Sequence, residues 1–226
     1  MKAAILGHQT KGSETPMTNR FTLYGHQLSG PTYKVGLMLA LCGESFTYEH
    51  VDLRAGAHKQ PDYLAKNRFG QVPCLYDGTH HFCQSASILQ YLAETLKKFD
   101  GKNAEEHARI REWMFWDFDR LAPGVFRSRA YKAGLRKGEP PVIESFKADG
   151  EAGLAVLEQH LSKNAWLVGD KPTIADIDCY GVVHYAPHGG FDFAGFPKIA
   201  DWKKRFEALP GFGTPEKVLP AQSKAA

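Results

Sequence analysis

Four cysteines are few for a chain of 226 residues, and they are poorly spaced for the tasks that cysteine clusters perform. Cys42, Cys74, Cys83 and Cys179 include no CxxC pair, so the sequence carries neither a zinc-site spacing nor a small disulfide framework, and no metal is expected. Each cysteine stands among apolar neighbours, which reads as four buried, reduced thiols and a reducing, cytoplasmic compartment. Charge of one sign is also scarce. Lys and Arg total 28 against 25 Asp and Glu, a formal net charge of +3. The nearest basic cluster, Lys203-Lys204-Arg205, reads as the solvated face of a helix, so a nucleic-acid partner is not expected. Long apolar runs are missing too. The N-terminal run is only Ala3 to Leu6, too short for a signal peptide core or a membrane span. Residues 1–19 read as a flexible leader, with Met17 as a second plausible start. There is no internal repeat and no strong low-complexity tract. The remainder, 43% hydrophobic and 23% charged, is the composition of a globular chain able to bury a core.

Two textures divide that remainder. Phe21 to Tyr24 reads as a strand. A loop from Gly25 to Gly30 follows, and Pro31 suits a first helical position because its missing N–H costs nothing there. Val35, Met38, Leu39 and Cys42 then recur at helical spacing, giving an amphipathic helix closed by Gly43. Phe46 to Val51 is β-branched and aromatic, a second strand. This β-α-β order implies a parallel pair with a right-handed crossover. Beyond a polar connector and a short helix opened by Pro61, Cys74–Tyr76 and His80–Cys83 flank Asp77-Gly78-Thr79, a hairpin signal. Ser85 is a good N-cap for a helix carrying Ile88, Leu89, Leu92 and Leu96 on one face. After Lys97 no convincing strand follows, only helical stripes, and Thr173-Ile-Ala-Asp176 resembles a capping box. The expected organisation is an α/β domain over 20–97, a linker over 98–105 and an all-helical domain over 106–220. Ligands often bind at such a junction.

The stretch NRFGQVPCLYDG, Asn67 to Gly78, poses a problem within this plan. Pro73 stands where a strand should begin hydrogen bonding, yet proline has no N–H to give a ladder. Taken alone, it reads as an ordinary trans proline at a sheet edge, because few X–Pro bonds in folded proteins are cis.

Four motifs in order change that reading: LYGHQLSGPTYKV, AHKQPDYLAKNRFGQVPCLYDG, FCQSASILQYLAE and WLVGDKPTIADI. Together they resemble the cytosolic glutathione transferases, of bacterial, serine-type, theta-like or phi-like style, from Phe21 to about Phe212. The resemblance implies a thioredoxin-like N-terminal domain, an all-α C-terminal domain, glutathione as co-substrate and a homodimer. It implies a cis bond before Pro73, which turns the N–H and C=O of Val72 outward to pair with an extended peptide, the cysteinyl unit of glutathione. It places the γ-glutamyl carboxylate at Gln84-Ser85, where a helix start favours an anion. Gln84 stands where many relatives carry Glu or Asp and so brings no charge to the ammonium. Lys59, with His58 beside it, matches a position that binds the glycine carboxylate, and Gln71 matches a contact near the glycyl end.

A free thiol has a pKa of about 8.5, so glutathione needs help to ionise near neutral pH. Ser29 matches the activating serine of the theta-like and phi-like classes, with Thr32 and Tyr33 as neighbouring alternatives. Tyr24 reads as a strand residue. For the second substrate, a small hydrophobic electrophile, Arg109, Trp113, Trp116 and Arg120 recur along one helical face. Trp113 reads as core there. Trp116 and Arg120 are the cleft candidates, ahead of Tyr131 and His184. The expected activity is transfer of the glutathione thiolate to that electrophile, a detoxification chemistry. Glutathione-dependent disulfide or peroxide reduction, and a non-catalytic interaction module on the same fold, are the alternatives.

Overall fold

The computed structural model describes residues 19–220. Of the expected leader, only Asn19 falls among them. Four strands, β1 (Phe21–Gly25), β2 (Phe46–His50), β3 (Cys74–Tyr76) and β4 (His81–Cys83), form one mixed sheet in the order β2-β1-β3-β4. β1 runs parallel to β2 and antiparallel to β3, and β3–β4 is the hairpin. Helix α1 (Gly30–Leu41) makes the crossover between β1 and β2, α2 (Pro61–Leu64) lies in the connector, and α3 (Ser85–Leu96) follows β4 directly. No strand occurs after Cys83 among the described residues. The second half consists of α4 (Ala104–Trp116), α5 (Ala122–Lys132), α6 (Pro140–Leu161), α7 (Ile174–Val183), α8 (Ala186–Gly189), α9 (Pro197–Glu207) and α10 (Pro215–Val218). None of the described helices is long and apolar enough to cross a membrane.

Helix α1 departs from the amphipathic expectation. Thr32, Tyr33, Lys34, Val35, Leu37, Met38, Leu39 and Leu41 are all buried, so no face meets water. One side covers the sheet, and α3, α7 and α10 cover the rest. Lys34 is therefore carried into the interior, where its Nζ meets Asp117 Oδ2 at 2.7 Å and Asp178 Oδ1 at 2.8 Å. The three side chains are 4%, 1% and 2% exposed, which makes this a desolvated ionic cluster rather than a surface pair. Burial holds the Asp117 carboxyl well above the usual carboxylate range; Lys34 opposes the rise and Asp178 adds to it.

Asp117 opens a π-helical segment, Asp117–Leu121, between α4 and α5. The wider turn breaks the 3.6-residue period there, so positions before and after it no longer share one face.

The capping box at α7 is present. Thr173 Oγ1 accepts from Ala175 N, and Asp176 Oδ2 accepts from Thr173 N at 2.9 Å. Asp176 does more than cap. Its Oδ1 accepts from Leu167 N and from Trp202 Nε1, both at 3.0 Å, tying α7 to the preceding loop and to α9. Burial pushes Asp176 up to about 6, and its hydrogen bonds pull the other way. Asp176→Asn turns one acceptor into a donor facing Thr173 N–H. It is expected to cost about 2 kcal/mol at neutral pH, read by urea denaturation. The pH dependence has a definite sign. A folded value raised above the ordinary 3.8 gives stability that is full below 3.8 and lost as pH rises through about 6. Asn should remove that slope.

The cysteines do not all match the expectation of buried thiols. Cys42, Cys74 and Cys179 are buried, but Cys83 is only half-buried.

Candidate active site

The site gathers at the C-terminal ends of the parallel strands β1 and β2, where open α/β sheets usually place ligands. β1 ends at Gly25, whose carbonyl accepts from Val51 N at 2.7 Å and so ties the two strand exits together. A Cβ at position 25 would lie 2.1 Å from Thr32 Cγ2, so only glycine lets α1 approach this closely. The loop then runs to Ser29, the N-cap of α1, whose Oγ accepts from Thr32 N at 3.2 Å. That bond uses a lone pair of the hydroxyl and leaves its hydrogen free to be given elsewhere.

The neighbouring alternatives to Ser29 face inward. Thr32 is fully buried, with Oγ1 accepting from His26 N at 3.4 Å. Tyr33 is also buried, and its hydroxyl donates to Gly213 O at 2.9 Å. That bond commits the Tyr33 O–H to the interior, away from the loop, and burial drives its phenol far above its ordinary value.

Around the strand exits the other expected residues assemble in two linked pairs. Lys59 Nζ donates to Gly70 O at 2.9 Å, drawing the 57–59 turn onto the segment before Pro73. Gly70 has φ +56, with His58 O and Lys59 Nζ at 3.0–3.1 Å from where a Cβ would stand, so a side chain is excluded there twice over. His58 is half-buried, and its Nδ1 has no hydrogen-bond partner among the described residues. Gln84 Nε2 donates to Gln71 Oε1 at 3.1 Å, and Gln71 O accepts from Tyr63 OH and Asn67 Nδ2. The Val72–Pro73 peptide bond is cis. β3 begins only at Cys74, and among the described residues neither the N–H nor the C=O of Val72 has a hydrogen-bond partner. An open ladder position thus stands beside Gln71 and Gln84.

At α3 the structure corrects one detail. The N-cap is Gln84, not Ser85, which is the first helical residue. β4 feeds the helix with no loop, so a single residue must reverse the chain, and Gln84 does so at φ 68, ψ 114. A non-glycine residue held there stores about 1–3 kcal/mol of strain, the kind of outlier that gathers at ligand sites. No side chain caps the helix, so the first N–H groups of α3 remain available to an anion.

The contacts of the second-substrate candidates Trp116 and Arg120 lie within the helical half. Trp116 packs edge-to-face on Trp113 at 5.2 Å, and Trp113 packs on His160 of α6 at 4.8 Å. Arg120 lies within the π-helical segment, is 71% exposed and pairs with its neighbour Asp119. Of the weaker candidates, Tyr131 lies tilted against Phe146 at 6.1 Å, and His184 lies among Tyr33, Tyr180 and Tyr185. The residues that do reach the Ser29 loop come from α5. Phe126 would stand 2.3 Å from a Cβ at Gly30, and Arg129 Nη1 donates to Leu28 O at 2.7 Å while its guanidinium lies 4.1 Å over the Tyr185 ring. His26 joins them, its Nδ1 accepting from Leu28 N at 3.2 Å and its ring 5.0 Å from His50. Burial, with His50 beside it, lowers its pKa and favours the neutral imidazole. No local signal marks Phe126 or Arg129, since their partners lie about a hundred residues away.

Comparison with known proteins agrees with this geometry. The chain matches the family description Glutathione S-transferase, N-terminal domain, over residues 19–94, and Glutathione S-transferase, C-terminal domain, over residues 136–210. It is 30% identical to the maleylacetoacetate isomerase of Rhizobium meliloti (strain 1021) over 87% of this chain and 95% of that protein. Among solved structures, a possible glutathione S-transferase from Rhodopseudomonas palustris is 35% identical with a TM-score of 0.79, covering 87% of this chain and 90% of that one. A glutathione transferase from Phanerochaete chrysosporium, in complex with oxidized glutathione, is 26% identical with a TM-score of 0.80, covering 85% and 93%. With its mixed four-stranded sheet, helical second domain and sequence matches to both halves, the chain belongs to the glutathione S-transferase family of enzymes.

Proposed function

We propose that the protein transfers the thiolate of glutathione to a small hydrophobic electrophile. The observation that carries this reading is the unpaired backbone of Val72, set between Gln71 and the uncapped start of α3. Glutathione is an extended peptide, and its cysteinyl N–H and C=O would complete that ladder position. Its γ-glutamyl carboxylate would meet the first N–H groups of α3 and the Ser85 hydroxyl, and its ammonium the amide oxygen of Gln84. Its glycine carboxylate would meet Lys59 and His58. The thiol would then face Ser29.

Ser29 accepts from its own helix and gives its hydrogen to sulfur, which stabilises the anion at the positive end of α1. The thiolate attacks an electrophilic carbon, a C–S bond forms, and the displaced group leaves with its electron pair. Leu28 of the loop, with Phe126 and Arg129 of α5 standing over it, forms the proposed walls of the electrophile pocket. The protein is proposed to act as a two-fold homodimer. Phe115 and Phe118, 66% and 72% exposed, are apolar surface that one chain leaves to water.

Three measurements test this reading. Retention on immobilised glutathione and enzymatic conjugation of chlorodinitrobenzene are expected together. A protein that shows neither is an interaction module on the same fold. Gln84→Ala is expected to raise the glutathione Kd about tenfold, the worth of one good hydrogen bond to a charged group. Gln84→Glu should tighten binding, because a carboxylate facing an ammonium makes the stronger bond. An unchanged Kd in both variants would place the γ-glutamyl unit elsewhere.

A further inference from the structure

Two of the four cysteines face each other across the hairpin. In the β3–β4 register Cys74 is directly opposite Cys83. The hydrogen-bond phase of the ladder follows from the turn. Asp77 N donates to His80 O, so Asp77 and His80 are a hydrogen-bonded pair. Antiparallel pairs alternate, which makes Tyr76–His81 non-bonded, Leu75–Phe82 bonded and Cys74–Cys83 non-bonded. Non-bonded pairs hold their Cα atoms at about 4.5 Å with both side chains on one face, inside the range a disulfide spans. Both sulfurs also meet one acceptor: Cys74 Sγ and Cys83 Sγ each lie 3.6 Å from Lys66 O.

We propose that Cys74 and Cys83 are a redox-active cross-strand dithiol that closes to a disulfide by exchange with a low-molecular-weight disulfide. The two thiols are not equivalent. Cys74 is buried beneath Tyr63 and Val51, whereas Cys83 is half-buried on the edge strand. Burial pushes Cys74 up to about 12, and Cys83 opposite adds to the rise. Burial also raises Cys83, but its neighbour Cys74 and the charge of Arg68 pull it back. Cys83 is therefore the entry thiol and Cys74 the resolving one.

In the first step the Cys83 thiolate attacks one sulfur of the disulfide R–S–S–R. The bond Cys83–S–S–R forms, and RS⁻ leaves and takes up the proton that Cys83 released. In the second step the Cys74 sulfur attacks the Cys83 sulfur and expels the second RS⁻, which receives the Cys74 proton. The protein loses two electrons and two protons, and the small disulfide becomes two thiols. Cys74 follows Val72-Pro73 and Cys83 precedes Gln84-Ser85. On the functional reading above, glutathione disulfide is thus a disulfide the neighbouring segments can hold.

The test uses the reduced full-length protein, treated separately with glutathione disulfide and with hydroxyethyl disulfide. It is then quenched in acid, unfolded and labelled with a maleimide. The expected product is lighter than the reduced chain by two hydrogen atoms before labelling and takes two maleimides in place of four, with peptide mapping joining Cys74 to Cys83. Cys74→Ala should stop at a mixed disulfide on Cys83, and Cys83→Ala should resist both reagents. Closure with hydroxyethyl disulfide but not with glutathione disulfide supports the dithiol and counts against the glutathione site. Four maleimides after both treatments, or a bond joining other cysteines, overturns the proposal.

Discussion

Lys34→Met is expected to destabilise the fold by about 3–5 kcal/mol, because it leaves two buried carboxylates without their cation. Urea denaturation at neutral pH reads the loss. Lys34 lies on α1, Asp117 opens the segment after α4 and Asp178 lies on α7, so one ammonium joins the α/β half to the helical half. Burial pulls the Lys34 ammonium down, and the two carboxylates more than offset this, holding it well above the ordinary lysine value. In the methionine variant Lys34 no longer opposes the desolvation of Asp117. Carboxyls with raised folded values give stability that is full below their unfolded values and lost as pH rises through the folded ones. The deficit of the variant should therefore shrink as the pH is lowered from neutral toward about 5. Replacing all three charges by apolar residues of similar volume should recover most of the loss, since removing a whole buried ionic cluster is often nearly neutral. A Lys34→Met protein within about 1 kcal/mol of the parent would show that water reaches the cluster.

Ser29→Ala is expected to lower kcat/KM for conjugation by about 10²–10³-fold, the scale for losing one preorganised donor to a developing or stabilised anion. Glutathione affinity should change little, because the peptide's carboxylates and backbone are held elsewhere. The thiol of bound glutathione should titrate at higher pH in the variant, visible in the ultraviolet absorbance of the thiolate. Part of any stability change will come from the cap itself, since Ser29 Oγ accepts from Thr32 N. Ser29→Gly is the control. It keeps much of the cap's worth, a few tenths of a kcal/mol aside, while still removing the hydroxyl. Turnover that survives both substitutions would move the activating group to another residue of the loop.

In the second domain the helical period is interrupted. Trp116 and Arg120 share a helical face only where a 3.6-residue period runs on unbroken. The π-helical segment at Asp117–Leu121 breaks that period within the stretch that joins them. Phe126 and Arg129, which do reach the Ser29 loop, are ordinary helix residues until the loop from the other domain is laid against them. The hairpin gives a similar case. A three-residue turn over Asp77–Thr79 would set Cys74 against Phe82, whereas the two-residue turn sets it against Cys83. A shift of one residue exchanges the partner, and only the folded register fixes it.

By itself the sequence determined the β-α-β then β-β-α order, the helical second half, the capping box at Thr173, and the cluster of residues around Pro73. These are local features. Turn chemistry, capping and hydrophobic period act over a few residues and leave their mark in the order of the chain. Tertiary structure alone decided that α1 is buried on every side, that Lys34 meets two aspartates, that Tyr33 points away from the site, and that Arg129 comes to Leu28. Each of these depends on packing between segments tens to more than a hundred residues apart, where desolvation and close contact set the energy and no local pattern records the partner.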